Sequence, residues 1–380
     1  MGRSVPLPRE YAPIEVATMK HSVSRAALVL VTTLLVAVGC RAQAPAAAPA
    51  SPQALREEFR KTVLGSRTPT PLNPQTVSQN TLGKVKVEKV RFTPEKGQDA
   101  VAVIYRPVAE GKHPTVIVQH FLGGSKDHIA FIPLMNTLAQ RGYVVAAIDA
   151  RYRGERQNGK TLEAAMLEAL RGGQERPFLF DTAYDLLRLI DYLETRPDVD
   201  PQRIGMTGFS EGGILTWMCA ALDDRIRVAV PIIGVTSFAQ AFEDGPSLNE
   251  KVRLFEPVLR EHARDLGEKE INGKVLRSAW QKLVPGMLDR FDAPNLLPLI
   301  APRPLLILNH EQDELFPVEG ARRCFAVCQA RYKELKAEGR LELRVAPGLK
   351  HAAFNFGEVT SMMDWMDRWL KPGAMAAADK

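Results

Sequence analysis

From residue 84 onward, apolar and polar positions follow two alternating rhythms. "KVKVEKVRF" (84–92) and "DAVAVIYRP" (99–107) are read as alternating apolar and polar stretches, the pattern of outer antiparallel strands. "HPTVIVQH" (113–120) and "YVVAAIDAR" (143–151) are continuous apolar runs, as strands buried on both faces require. Between them "FIPLMNTLAQRG" (131–142) has helical spacing and a closing glycine. The alternation continues with a helix over 181–197, a strand over 203–209, a helix over 210–222 and a strand over 227–234. Residues 235–298 then offer helical patterns and loops but no convincing strand. The rhythm resumes with strand 303–309, helix 318–338, strand 341–347 and helix 358–370. Strands alternating with helices imply a mostly parallel sheet covered on both faces. The pause at 235–298 reads as a helical cap inserted between two late strands, because the strand pattern returns after it.

The first 50 residues follow other rules. Met19–Cys40 reads "MKHSVSRAALVLVTTLLVAVGC", with Lys20 and Arg25 ahead of a 13-residue apolar stretch, Ala26–Val38. That stretch is shorter than the roughly 20 residues of a membrane span and fits an export signal. Residues 1–39 are therefore expected to be a signal segment with Met19 as the true start. Two cleavage readings compete. "AQA" (42–44) suits signal peptidase but is followed by Pro45, whereas "AVGC" (37–40) resembles a bacterial lipobox ending at a cysteine to be lipidated. The lipobox is the preferred reading, and it predicts a lipid-anchored protein of the periplasm or cell surface, with Arg41 pointing to the outer membrane. A soluble secreted form is the alternative. Residues 40–84 are read as a tether and N-terminal extension, 85–371 as the folded domain and 372–380 as a tail.

Composition narrows the choices little: 380 residues, 45% hydrophobic and 25% charged, are ordinary for a globular α/β chain. The net charge of +6 is dispersed, without the dense basic stripe of a nucleic-acid binder. If Cys40 is lipidated, Cys219, Cys324 and Cys328 remain, which is no disulfide framework; they are expected to be free thiols. Further ligands at metal-binding spacing are missing around Cys324 and Cys328.

The chemistry begins at "MTGFSEGGI" (206–214). Ser210 sits at a strand-to-helix junction between Gly208 and Gly212, with Gly213 next. A nucleophile on so tight a turn needs small neighbours, and the helix start behind it supplies N–H donors for a developing oxyanion. A serine hydroxyl also needs a general base and an acid to orient it. Asp313, in "HEQDELFP" (310–317), and His351, in "GLKHAAF" (348–354), each follow a strand. They lie at the edge of the sheet where Ser210 is, in the order Ser, Asp, His. Glu311 and Glu314 are the alternative acids. His310 precedes the acid in chain order, His262 lies in the cap segment and His113 precedes a strand at the wrong edge, so each is a poorer base. Glu211 is expected to give one oxyanion N–H and the loop "HFLGGSKD" (120–127) the other.

In these motifs the chain resembles the α/β-hydrolase superfamily, in the branch of dienelactone hydrolases, acetyl xylan esterases and prolyl-oligopeptidase catalytic domains. The resemblance covers residues 85–371. It implies an α/β-hydrolase fold with the helical cap, and a serine esterase working through Ser210, Asp313 and His351 without metal or organic cofactor. Where that branch has His-Gly-x-Gly, this chain has His120-Phe121-Leu122-Gly123-Gly124. The match assigns the second oxyanion donor to Leu122, with Phe121 as the other candidate. "DARYRGERQNG" (149–159) resembles the branch's Asp-x-Arg-Gly loop; Arg151, Arg153 and Arg156 either meet an acidic substrate group or, as preferred, pair with local carboxylates. The expected partner is a small-molecule ester, not nucleic acid. Two rivals stand beside this: a prolyl-oligopeptidase-like peptidase, and a non-catalytic binding protein on the same scaffold.

Overall fold

The computed structural model describes residues 51–157, 159–243, 251, 253–353 and 355–371. The signal segment, Cys40, the C-terminal tail 372–380, and residues 244–250 and 252 of the expected cap lie outside the described residues. In chain order the elements are α1 (Pro52–Leu64), β1 (Gln75–Leu82), β2 (Val85–Glu95), β3 (Gln98–Pro107), β4 (His113–Gln119), α2 (Phe131–Gln140), β5 (Val144–Ile148), α3 (Leu162–Leu170) and α4 (Phe180–Glu194). Then come β6 (Val199–Phe209), α5 (Glu211–Leu222), β7 (Ile226–Ile232), α6 (Phe238–Ala241), α7 (Glu256–Asp265), α8 (Gly273–Leu283), α9 (Ala293–Leu296), β8 (Leu305–His310), α10 (Val318–Glu334), β9 (Leu341–Ala346) and α11 (Phe356–Leu370).

One sheet takes the strands in the order β1-β2-β3-β5-β4-β6-β7-β8-β9. It is antiparallel from β1 to β5 and parallel from β5 to β9. The continuous apolar runs are explained by burial on both faces. In β5, Val144, Ala146 and Ile148 point into one core and Val145 and Ala147 into the other; in β8, Leu305 and Ile307 oppose Leu306 and Leu308 in the same way. The first core is covered by α1, α3, α4, α5 and α10, the second by α2 and α11. The chain leaves β4 for β5 on one side and later reaches β6 on the other. The loops after β4 and β6 therefore diverge, opening the crevice where sheets of this kind collect a site.

Two elements lie within 40–84, which the sequence reads as tether and extension. Helix α1 buries Phe59 and Val63 in the first core, and β1 pairs with β2 as the sheet's edge. Among the described residues, the segment between β7 and β8 holds helices and no strand.

Candidate active site

Ser210 occupies the junction between β6 and α5, in a backbone conformation that L-residues avoid, φ 55° and ψ −113°. Such a geometry costs on the order of 1–3 kcal/mol and persists only where its surroundings enforce it. Here four glycines do so. A Cβ on Gly208 would sit 2.5 Å from the Gly212 carbonyl, one on Gly212 2.2 Å from the Gln119 carbonyl oxygen, one on Gly213 2.6 Å from the Ile232 oxygen, and one on Gly234 2.6 Å from the Ser210 oxygen. Only bare backbone lets β4, β6 and β7 come this close behind the turn. The Ser210 N–H donates to the Ile232 carbonyl at 2.9 Å, fixing the turn from the neighbouring strand.

Beyond the ends of β8 and β9 the chain supplies the partners. The Ser210 hydroxyl lies 2.8 Å from His351 Nε2, and His351 Nδ1 lies 2.8 Å from Asp313 Oδ2. Asp313 is itself held: its Oδ1 accepts the N–H groups of Leu315 and Phe316 at 2.9 and 2.8 Å. The Phe316 ring stacks on the His351 ring, centroids 5.3 Å apart. Glu314 accepts the His351 backbone N–H at 3.3 Å and Glu311 that of Gly348 at 2.8 Å. The two glutamates thus brace the loop from outside while Asp313 meets the imidazole.

The other histidines go elsewhere. His262 meets Ser278 at 3.0 Å and His113 the Ala109 carbonyl at 3.1 Å. His310 is fully buried, Nε2 2.9 Å from Glu358 and Nδ1 2.8 Å from the Lys350 carbonyl. Cys219, Cys324 and Cys328 are buried free thiols.

Solved esterases have a similar fold. An acetyl xylan esterase from Paenibacillus sp. R4 superposes with a TM-score of 0.58 at 19% identity, over 86% of this chain and 96% of that one. A glucuronoyl esterase from Solibacter usitatus does so at 0.58 and 16%, over 82% and 91%. The acetyl xylan esterase (AXE1) family model matches residues 56–243, which hold the serine turn. The chain has the α/β-hydrolase fold. Among curated proteins, a Bacillus subtilis (strain 168) protein described as a hydrolase, YtaP, is 31% identical over 222 residues, 56% of this chain and 64% of its own length. The chain thus spans less than two thirds of that relative.

In this fold the loop after β4 is set by His120, whose Nε2 accepts the Ala150 N–H at 2.9 Å. The ring proton therefore sits on Nδ1 and donates to the Phe121 carbonyl at 2.8 Å. Burial pushes the His120 pKa down and keeps the ring neutral. Gly124 N–H also donates to the Phe121 carbonyl, at 2.9 Å. With that carbonyl tied back, Leu122 borders the space around Ser210. On the other side Glu211 opens α5, so its N–H is among the donors a helix leaves without an intrahelical partner. Its carboxylate, 3% exposed, would oppose a developing negative charge, but it is ion-paired with buried Arg153. Arg151 grips Asp185 with two bonds of 2.9 and 2.8 Å, and Arg156 meets the same carboxylate at 2.5 Å. All three arginines of the loop thus pair with carboxylates of the chain. Sequence reasoning missed His120 and the Arg153–Glu211 pair. The signal for His120 was its place at the head of the oxyanion loop; nothing in the sequence marked the ion pair.

His310 yields a pH prediction that separates it from His351. Burial opposes charge on His310, yet the bond to Glu358 outweighs it and the pKa is raised. A raised folded-state pKa means that the stabilisation is full below the unfolded-state value, about 6.5, and is lost as pH climbs through the folded-state value. The stability difference between wild type and His310→Gln, from urea unfolding, should shrink between pH 6 and pH 9. A difference that grows over that range would contradict the pairing. His310→Gln should keep ester turnover within about ten-fold, because it removes no proton-transfer group.

Proposed function

We propose that the chain hydrolyses carboxylic esters through an acyl-enzyme. The observation that carries this reading is the continuous Ser210–His351–Asp313 hydrogen-bonded chain, built on a strained turn at a helix start. Ser210 Oγ attacks the ester carbonyl as His351 Nε2 takes its proton. Asp313 holds the Nδ1–H tautomer and stabilises the imidazolium. The N–H groups of Leu122 and Glu211 receive the oxyanion, and the dipole of α5 reinforces them. His351 then protonates the leaving alcohol. Water, activated by the same imidazole, attacks the acyl carbonyl and returns Ser210 to its starting state.

The test is a pair of chromogenic substrates with matched acyl groups. The purified protein should turn over p-nitrophenyl esters and leave aminoacyl-β-naphthylamides uncut. Preferential cleavage of the amides would replace this reading with the peptidase one.

For localisation we propose lipid anchoring at Cys40, on the strength of the apolar segment and "AVGC" before it. Several acyl chains on one cysteine hold stably, since each buried methylene contributes about 0.8 kcal/mol. Cys40→Ser should abolish labelling by radioactive palmitate and move the protein out of the membrane fraction. An unlabelled wild type with a mature N-terminus beyond Cys40 would refute the anchor.

A further inference from the structure

Two cavities meet at Ser210, and they differ in size and in the chemistry of their other neighbours. The larger, about 400 Å3, also has His351 on its wall. The smaller, about 40 Å3, has Glu211 on its wall and not His351. This asymmetry orients an ester. The leaving oxygen must reach His351 Nε2 to receive its proton, so the alcohol extends into the larger cavity. The acyl substituent is left to the smaller one, on the side of the Glu211 N–H.

Each cavity then sets a limit. At ~10–15 Å3 for a water-sized group, the smaller has room for roughly three such groups. Its walls do not give easily: Phe178, Phe255 and Trp280 interlock edge to face at 5.3, 5.3 and 5.8 Å between centroids, and Phe238 leans on Trp280 at 6.2 Å. The larger cavity falls within the ~300–1,000 Å3 of ligand pockets. Phe121, Phe131, Phe209, Ile233, Leu254 and Leu315 dominate its wall. Besides Ser210 and His351, His128 is its one polar side chain among the described residues, and His128 Nδ1 already accepts the Ala130 N–H at 3.2 Å. Leu254, 46% exposed, carries the apolar wall out to the solvent, and Ile129, 80% exposed, stands between two wall residues in sequence.

We propose that this site selects the alcohol half of its ester: it prefers an apolar alkyl or aryl alcohol carrying a short acyl chain, and it discriminates against sugar hydroxyls. The inference rests on the ester-hydrolase reading above. Its physical basis is the wall. Each methylene buried there strengthens transition-state binding about four-fold, from ~0.8 kcal/mol. Each sugar hydroxyl pressed against it without a partner weakens binding about 5- to 150-fold, from ~1–3 kcal/mol.

The experiment uses two isomers, hexyl acetate and methyl heptanoate, which share one formula and place the long chain on opposite sides of the carbonyl. Methyl acetate and methyl 2-O-acetyl-xyloside complete the set, so that every leaving group is an alkyl or sugar alcohol. Hexyl acetate should exceed methyl acetate in kcat/KM by at least about 100-fold, given five added methylenes. It should exceed methyl heptanoate at least about ten-fold, because a seven-carbon acyl chain overfills the smaller cavity. The acetylated xyloside should fall at or below methyl acetate. Ala130→Trp, which fills the larger cavity, should lower the hexyl-to-methyl acetate ratio by about ten-fold or more. Methyl heptanoate outrunning hexyl acetate would overturn the orientation, and an acetylated xyloside matching hexyl acetate would overturn the selectivity, in either case with wild-type protein alone. Hydrolysis of p-nitrophenyl esters would still stand in both cases, so the failure of this inference is distinct from failure of the esterase reading.

Discussion

Ser210→Ala should lower kcat for a p-nitrophenyl ester by about 10⁶, the scale on which losing a serine nucleophile collapses a coupled triad. The size follows from the geometry. In the proposed reaction His351 takes its proton from the Ser210 hydroxyl while Asp313 orients the ring, so without that hydroxyl the base has no nucleophile to activate. A residual rate over water should survive from the oxyanion donors and the cavities. The fold should be unharmed: the strained conformation at 210 is retained, and only His351 Nε2, which borders an open cavity, loses its partner. The assay must therefore be read beside a thermal melt. Turnover within ten-fold of wild type by a folded variant would remove Ser210 from the reaction.

Asp313→Asn should cost about 10⁴ in kcat, by reversing the imidazole tautomer rather than by moving anything. Asp313 Oδ1 is held by the Leu315 and Phe316 N–H groups. An asparagine would keep its carbonyl oxygen there and turn its NH₂ toward His351 Nδ1. That nitrogen would then have to accept, which places the ring proton on Nε2, facing Ser210. The base would hold its proton on the wrong side. Nitrogen-15 NMR of the His351 ring reads the tautomer directly. An unchanged Nδ1–H in Asp313→Asn, or a loss of less than about 100-fold, would show that Asp313 does not set the base.

Much of this arrangement is legible in the amino-acid sequence. The buried strands β4, β5, β7 and β8 stand out as apolar runs, and Ser210, Asp313 and His351 each follow a strand in the expected order. Order and strand end suffice, because a parallel sheet delivers all its C-terminal loops to one edge. Other elements are harder to see for physical reasons. Strand β1 is exposed along its whole length, so it carries no alternation. Helix α1 places Phe59 and Val63 four apart, but it adjoins a Pro/Ala-rich stretch whose composition suggests a tether. Helix α3 does carry a signal: Leu162, Ala165, Met166, Ala169 and Leu170 fall on one helical face. The pairing of Arg153 with Glu211 carries none, since the two lie 58 residues apart and meet only because the loop after β5 folds back over the start of α5.

The central claim is that Ser210, activated by His351, becomes covalently bonded during turnover. Mass spectrometry of the protein treated with a fluorophosphonate probe tests it most directly, since the probe is captured by an activated serine nucleophile. The account predicts a single stoichiometric adduct on the peptide containing Ser210, sharply reduced in His351→Ala and absent in Ser210→Ala. Full ester turnover without an adduct, or an adduct on another residue that persists in Ser210→Ala, would contradict it.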